Sequence, residues 1–212
     1  MLIFLPQALI YAEMKNISQS NAEEFTSVAS LNGNEGIDFV SAIKTVGNYG
    51  DIYERTFEQI VPRKGLNLLY MDAEGNRNGL IYSNPFGMVD VFGYDLSSIG
   101  KVKEILERGF LRCGMSETDE EVNTPSIGVD YCKALSASLF SSDFTLVEFV
   151  YLSDEDNWLE SLNSGVVDLI INHPVSFGLD IFASDTAESG FTGFVFSQPY
   201  FYDTSHESGT QG

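Results

Sequence analysis

The sequence predicts an α/β protein, and three observations carry that prediction. Beyond residue 102, short apolar runs alternate with segments of helical period, in the order strand, helix, strand, helix, strand. The last of those runs, 166–171, is apolar on both faces, as a strand inside a parallel sheet must be. With 43% hydrophobic and 13% aromatic residues, a chain of 212 residues can bury a core.

The elements follow in order. The run 1–11 is apolar, but it lacks a basic start, is interrupted by Pro6, and has no small-residue cleavage site after Ala12. It reads as a core helix or strand. No stretch approaches the roughly 18 apolar residues of a membrane span. Ser20 and Glu23 form a capping box for a short helix, and 32–36 is a turn cluster. Phe39, Val40, Ile43, Val46 and Tyr53 recur at helical spacing. Gly47 and Gly50 leave two choices open, one long helix or two abutting ones. Runs at 66–70 and 80–82 flank a turn at 74–79 and suggest a hairpin.

Residues 87–101 are the linker candidate, because Pro85, Gly87, Gly93 and Gly100 break periodicity around them. They divide the chain into a segment 1–86, a segment 102–203 and a polar tail 204–212. In the second segment, Val102, Ile105 and Leu106 mark a helix that Gly109 ends. A strand at 110–115 is followed by a helix at 129–140 with Cys132, Leu135 and Leu139 on one face. A strand at 146–152 then leads to Ser153, which caps a helix reaching Leu162 and ending at Asn163-Ser164-Gly165. After the strand 166–171, residues 191–196 suggest one more.

Charge and chemistry narrow the function. The formal net charge is −20, from 31 acidic and 11 basic residues. Such a chain repels phosphate backbones and anionic membrane surfaces, which excludes nucleic-acid binding and membrane insertion as working hypotheses. It favours cationic or zwitterionic partners. Cys113 and Cys132 are either a disulfide pair or two buried thiols, and neither has a neighbour at metal-ligand spacing. No catalytic machinery stands out. Ser205-His206-Glu207 are adjacent in sequence, whereas a triad converges in space. No phosphate loop or dinucleotide fingerprint occurs, so no cofactor is expected. Asp130 or Asp168 could serve as a general acid, but each is more simply a helix-start or strand-end residue.

Two sets of residues carry a family resemblance. The stretches Arg108-Gly109-Phe110-Leu111-Arg112-Cys113-Gly114, Val129-Asp130-Tyr131-Cys132-Lys133-Ala134, Leu162-Asn163-Ser164-Gly165-Val166-Val167-Asp168 and Pro199-Tyr200-Phe201-Tyr202-Asp203 resemble the opening half of family 3 solute-binding proteins. Among these they are most similar to the general L-amino-acid-binding components of ABC transporters. Ala8-Leu9-Ile10-Tyr11-Ala12-Glu13, Gly47-Asn48-Tyr49-Gly50 and Arg63-Lys64-Gly65-Leu66-Asn67 resemble the closing part of the same family. The two ends therefore stand in reversed order, tail before head.

The resemblance implies a periplasmic-binding-protein-like lobe 1 with a mostly parallel sheet, preceded by a helical C-terminal-type segment, with lobe 2 absent. It implies a disulfide between Cys113 and Cys132, an extracytoplasmic location, and a small-molecule amino acid as ligand. An ABC permease or adjacent repeats of a longer chain would be the partners. Either the chain is a piece of a tandem array, or it folds as a permuted lobe with tail docked on head. No export signal is expected at Met1, which would sit at a family helix.

The resemblance also implies a deficit. The family holds the ligand carboxylate with an Arg shortly after the third strand, and Leu179 stands there in this chain. Losing such a pair costs roughly 1.5–3 kcal/mol, or about 10- to 100-fold in affinity. Asn172, His173 and Ser176 can line the remaining half-cleft, or serve as ordinary loop residues. The expectation is amino-acid binding that is impaired in this chain. A receptor or interaction module without transport or catalysis is the other reading.

Overall fold

Helix α1 (Leu5–Met14) opens the computed structural model, which describes residues 5–25, 38–58, 61–69, 79–80, 100–116, 126–153, 158–171, 197 and 200–202. Pro6 lies in the first turn, where its missing N–H would have had no partner anyway. Leu5, Ala8, Leu9, Ile10 and Ala12 are buried, so the apolar opening run is a core helix.

The short helix expected at Ser20 is a 3₁₀ helix, Gln19–Glu24, that starts earlier. Asn21 rather than Glu23 makes the reciprocal contact, accepting the Ser18 N–H at 2.8 Å. Glu23 is diverted to an ion pair with Lys44.

Two abutting helices follow, α2 (Phe39–Val46) and α3 (Tyr49–Thr56). The corner between them is written in three residues. Gly47 turns the chain at φ +80°, and a Cβ there would lie 2.5 Å from the Asp51 carboxylate. Asn48 then starts α3 with a capping box. It accepts the Asp51 N–H at 3.0 Å, and its own N–H donates to Asp51 Oδ2 at 2.9 Å. Its amide also donates to the Ile17 carbonyl at 2.8 Å, tying the corner to the 3₁₀ segment's approach.

Most of the expected hairpin, residues 70–78 and 81–82, lies outside the described residues; at its described edge, Leu69 and Leu80 meet in a bridge of parallel sense. The polar groups of this stretch are committed elsewhere. The Asn67 carbonyl accepts from Arg63 Nε at 2.7 Å, and the Asn67 side chain clamps Tyr202.

Helix α4 (Gly100–Arg108) begins inside the stretch assigned to the linker and ends as expected. Gly109, at φ +86°, donates its N–H to the Ile105 carbonyl at 2.9 Å. Then come β1 (Leu111–Ser116), α5 (Ile127–Leu139), β2 (Val147–Leu152), α6 (Trp158–Asn163) and β3 (Leu169–Ile170). The βαβαβ reading is realised as a mixed α/β architecture with a three-stranded parallel sheet in the order β2-β1-β3. The register runs from Leu111↔Val147 to Ser116↔Leu152, with Cys113↔Leu169 and Gly114↔Ile170 on the other side.

The third strand is shorter than 166–171, because Val166 is exposed and Asp168 uses its backbone and carboxylate to lock onto β1. Leu111, Cys113 and Met115 point into the core, and Gly114 occupies the opposite face. A Cβ on Gly114 would press on the side chains of Leu152, Val167 and Ile170 at 3.1–3.3 Å, so any larger residue there would make them shift by a few tenths of an ångström.

Cys113 and Cys132 form the disulfide that the resemblance implied, with Cα atoms 6.4 Å apart, both buried. It straps α5 to β1. The other side of α5 receives α2, with α1 and α3 alongside. One continuous core thus joins residues of the first segment, such as Ile43, Val46 and Ile52, to residues of the second, such as Leu111, Val129 and Leu135.

Polar ties cross the same seam. The Asp38 N–H donates to the Ser138 carbonyl at 2.9 Å, and the hydroxyls of Ser41 and Ser142 lie 2.6 Å apart. Arg55 grips Asp130 with Nε at 2.8 Å and a terminal nitrogen at 2.7 Å.

Candidate functional site

In open α/β sheets, ligands settle beyond the carboxyl ends of the strands at the point where strand order reverses. Here β1 is flanked by β2 on one side and β3 on the other, and all three strands are parallel. The chain moves outward from β1 to β2, then back past β1 to β3. With the right hand that such crossovers take, α5 and α6 belong on opposite faces, and the reversal lies between β1 and β3. The candidate site is therefore the edge where Ser116 ends β1 and Ile171 follows β3.

Backbone bonds tie β3 to β1 along its length. The Asp168 N–H donates to the Arg112 carbonyl at 2.9 Å, and the Ile171 N–H donates to the Gly114 carbonyl at 3.0 Å. At the opposite end, the fully buried Asp168 carboxylate accepts the Arg112 N–H at 2.8 Å and pairs with Arg108. Both arginines also lie over the Phe110 ring, at 4.9 and 5.3 Å. Asp168 is a clamp between strands.

Asn172, His173 and Ser176 come directly after β3 in the chain and lie outside the described residues, as do Leu179 and His206. The two carboxylates considered as general acids are both engaged, Asp168 with Arg108 and Asp130 with Arg55. Among the described residues, no group of three or more His, Cys, Asp or Glu could hold a metal ion. No helix among them is long and apolar enough to cross a membrane.

A second polar cluster sits at the seam, and sequence reasoning did not single it out. Arg63 donates to both oxygens of Glu13, one contact at 3.0 Å. Its guanidinium lies 4.9 Å from the Tyr49 ring centre and 5.4 Å from that of Tyr53. Tyr49 donates its hydroxyl to the Tyr200 carbonyl. Asn67 makes two bonds to the Tyr202 backbone, donating to the carbonyl at 2.8 Å and accepting the N–H at 2.7 Å.

Burial pushes the hydroxyls of Tyr49 and Tyr131 well above the usual tyrosine range. The Tyr131 hydroxyl is buried with no hydrogen-bond partner among the described residues, and its ring packs on Tyr200 at 4.7 Å. Phe201 stacks on Phe57 at 4.8 Å. Tyr200, Phe201 and Tyr202 pack against the core. The strand suggested at 191–196 lies outside the described residues.

The cluster's parts are scattered over positions 13, 49, 63, 67, 131 and 200–202, so no local pattern announces it. Its chemistry is that of a lock, since Arg63, Glu13 and Asn67 spend their charges and donors on one another and on the backbone. Searches of protein-family models, curated proteins and solved structures found no match to this chain.

Proposed function

We propose that the chain is a single permuted lobe of the family 3 solute-binding type, descended from extracytoplasmic amino-acid capture for ABC transport. The reversal of strand order between β1 and β3 carries this reading, because it is where an open parallel sheet receives a small ligand. The position of Asn172, His173 and Ser176 immediately after β3 fits it. So does the net charge of −20, which suits a ligand bearing an ammonium group.

Binding in this chain is weak or absent. Leu179 offers no partner for a ligand carboxylate, and a single lobe buries only one side of its ligand. Isothermal calorimetry with each of the twenty amino acids tests both parts. Dissociation constants near or above millimolar are expected. A low-micromolar constant for any one would overturn the impairment.

The second reading is an interaction module built on the same lobe, with neither transport nor catalysis. One observation favours it. The described core closes between tail and head with no second lobe taking part.

A further inference from the structure

The outer edge of β2 carries unspent hydrogen-bonding groups in the most acidic part of the chain. We propose that this edge docks an extended, basic segment of a partner protein, which adds to the sheet as a further strand. Such docking is independent of whether the carboxyl end of the sheet binds an amino acid.

The direction of the backbone groups along β2 follows from one bond. The Leu111 N–H donates to the Leu146 carbonyl at 2.9 Å, and Leu111 lies opposite Val147. In a parallel ladder this turns the N–H and C=O groups of the even-numbered residues toward β1, and those of Val147, Phe149 and Tyr151 away from it. Among the described residues β2 pairs with no strand but β1. Three N–H and three C=O groups therefore line an outer edge, without a partner among the described residues.

Proteins guard such an edge with lysine, proline or a bulge. β2 reads Val-Glu-Phe-Val-Tyr-Leu, and its pairing with β1 runs without interruption from Leu111↔Val147 to Ser116↔Leu152. It has none of the three guards. An open edge of this kind is a template for strand addition.

The side chains suit an alternating partner. Val147, Phe149 and Tyr151 share the face of Leu111, Cys113 and Met115, while Glu148 lies on the other face with Arg112. Tyr151 is 43% exposed, and Phe144, just before the strand, is 46% exposed. The Glu148 side chain is 54% exposed, and its contact with Arg112 is long, at 3.4 Å. An extended segment of alternating apolar and basic residues sets its apolar side chains beside Phe149 and Tyr151, and a basic one beside Glu148.

Charge selects the partner. No lysine or arginine follows Lys133 in the sequence, whereas twelve Asp and Glu residues do. Asp143 precedes β2, and Asp154-Glu155-Asp156 come soon after it in the chain. A second copy would set these acids against one another, on chains of net charge −20, which disfavours self-pairing. A basic segment is matched by Glu148 and by the acids that flank the strand in the sequence.

The test uses the full-length chain and a fluorescein-labelled, acetylated hexapeptide of alternating lysine and valine. Two further peptides carry N-methyl groups, one on its valines and the other on its lysines. Antiparallel docking draws its bonds from the residues opposite Phe149, the valines, and parallel docking from the residues between them, the lysines. Fluorescence anisotropy should therefore show one methylated form weakened at least about tenfold and the other close to the parent. Glu148→Lys, a change at an exposed side chain, should weaken the parent peptide about fivefold. Amide exchange followed by NMR should slow at Val147, Phe149 and Tyr151 when peptide is added, whereas Glu148, Val150 and Leu152 are slow without it.

Absence of parent binding at about 1 mM would overturn the proposal. Equal binding of the two methylated forms would do the same, because charge alone would then explain the affinity. Slowing of the three outer amides that grows with protein concentration and needs no peptide would put a second copy on the edge, and would overturn the basic partner.

Discussion

Reduction of the Cys113–Cys132 disulfide should lower stability by about 3 kcal/mol, a figure that follows from the chain it closes. The cysteines are 19 positions apart, so the bond closes a loop of about 20 residues in the unfolded chain. The loop-entropy relation gives about −11 cal/mol/K, or about 3 kcal/mol at 25 °C. Comparing oxidised and reduced wild-type protein avoids the cavity that cysteine replacement would leave in the core.

Because both cysteines are buried, the reductant must act through transient opening. Samples should therefore be equilibrated with reductant at partial denaturation before measurement. In urea, with a slope of ~2 kcal/mol/M, the midpoint should fall by about 1.5 M with little change in slope. A fall under ~0.3 M would refute the loop argument, since the bond would then be constraining nothing in the unfolded chain.

Two tyrosines supply the other predictions. Tyr131→Phe removes a buried hydroxyl that has no hydrogen-bond partner among the described residues, so urea unfolding should show a gain of about 1 kcal/mol. A loss of that size instead would mean the hydroxyl is satisfied by a buried water. Alkaline pH should unfold the protein through Tyr49 and Tyr131. Both have folded-state values raised above 10.0, chiefly by burial, so the folded chain keeps protons that the unfolded chain releases. Their contribution is intact below pH 10 and is lost as pH climbs through the folded values. Each should cost about 1.4 kcal/mol per pH unit in that window. A flat urea midpoint from pH 9 to 12 would contradict their burial.

What could be read in the sequence was local. The capping chemistry of Asn48 and Asp51 and the stop at Gly47 lie within five residues of one another, so the helix break was visible as a choice between two arrangements. The strands were legible because apolar runs bounded by turn residues have few other uses. The capping box at Ser20 failed for a reason outside its window, since Glu23 is drawn to Lys44 twenty-one positions away.

Asn67, inside the stretch expected as a hairpin, is likewise claimed by Tyr202, 135 positions along the chain. The Arg63 cluster was illegible for that reason too. Strand order is likewise a tertiary fact. The alternation of elements foretold a parallel sheet, but only the placement of β3 beside β1 located the reversal.

Helix α5 has one further consequence. With Asp130 and Lys133 alone reaching toward solvent, the helix offers almost no position where a side chain can be exchanged freely. Its small residues, Gly128, Ala134, Ser136, Ala137 and Ser138, fix how closely the sheet and the tail helices approach one another. Substitutions should therefore accumulate around this helix and spare it, leaving 127–139 as the slowest-drifting stretch of the described chain.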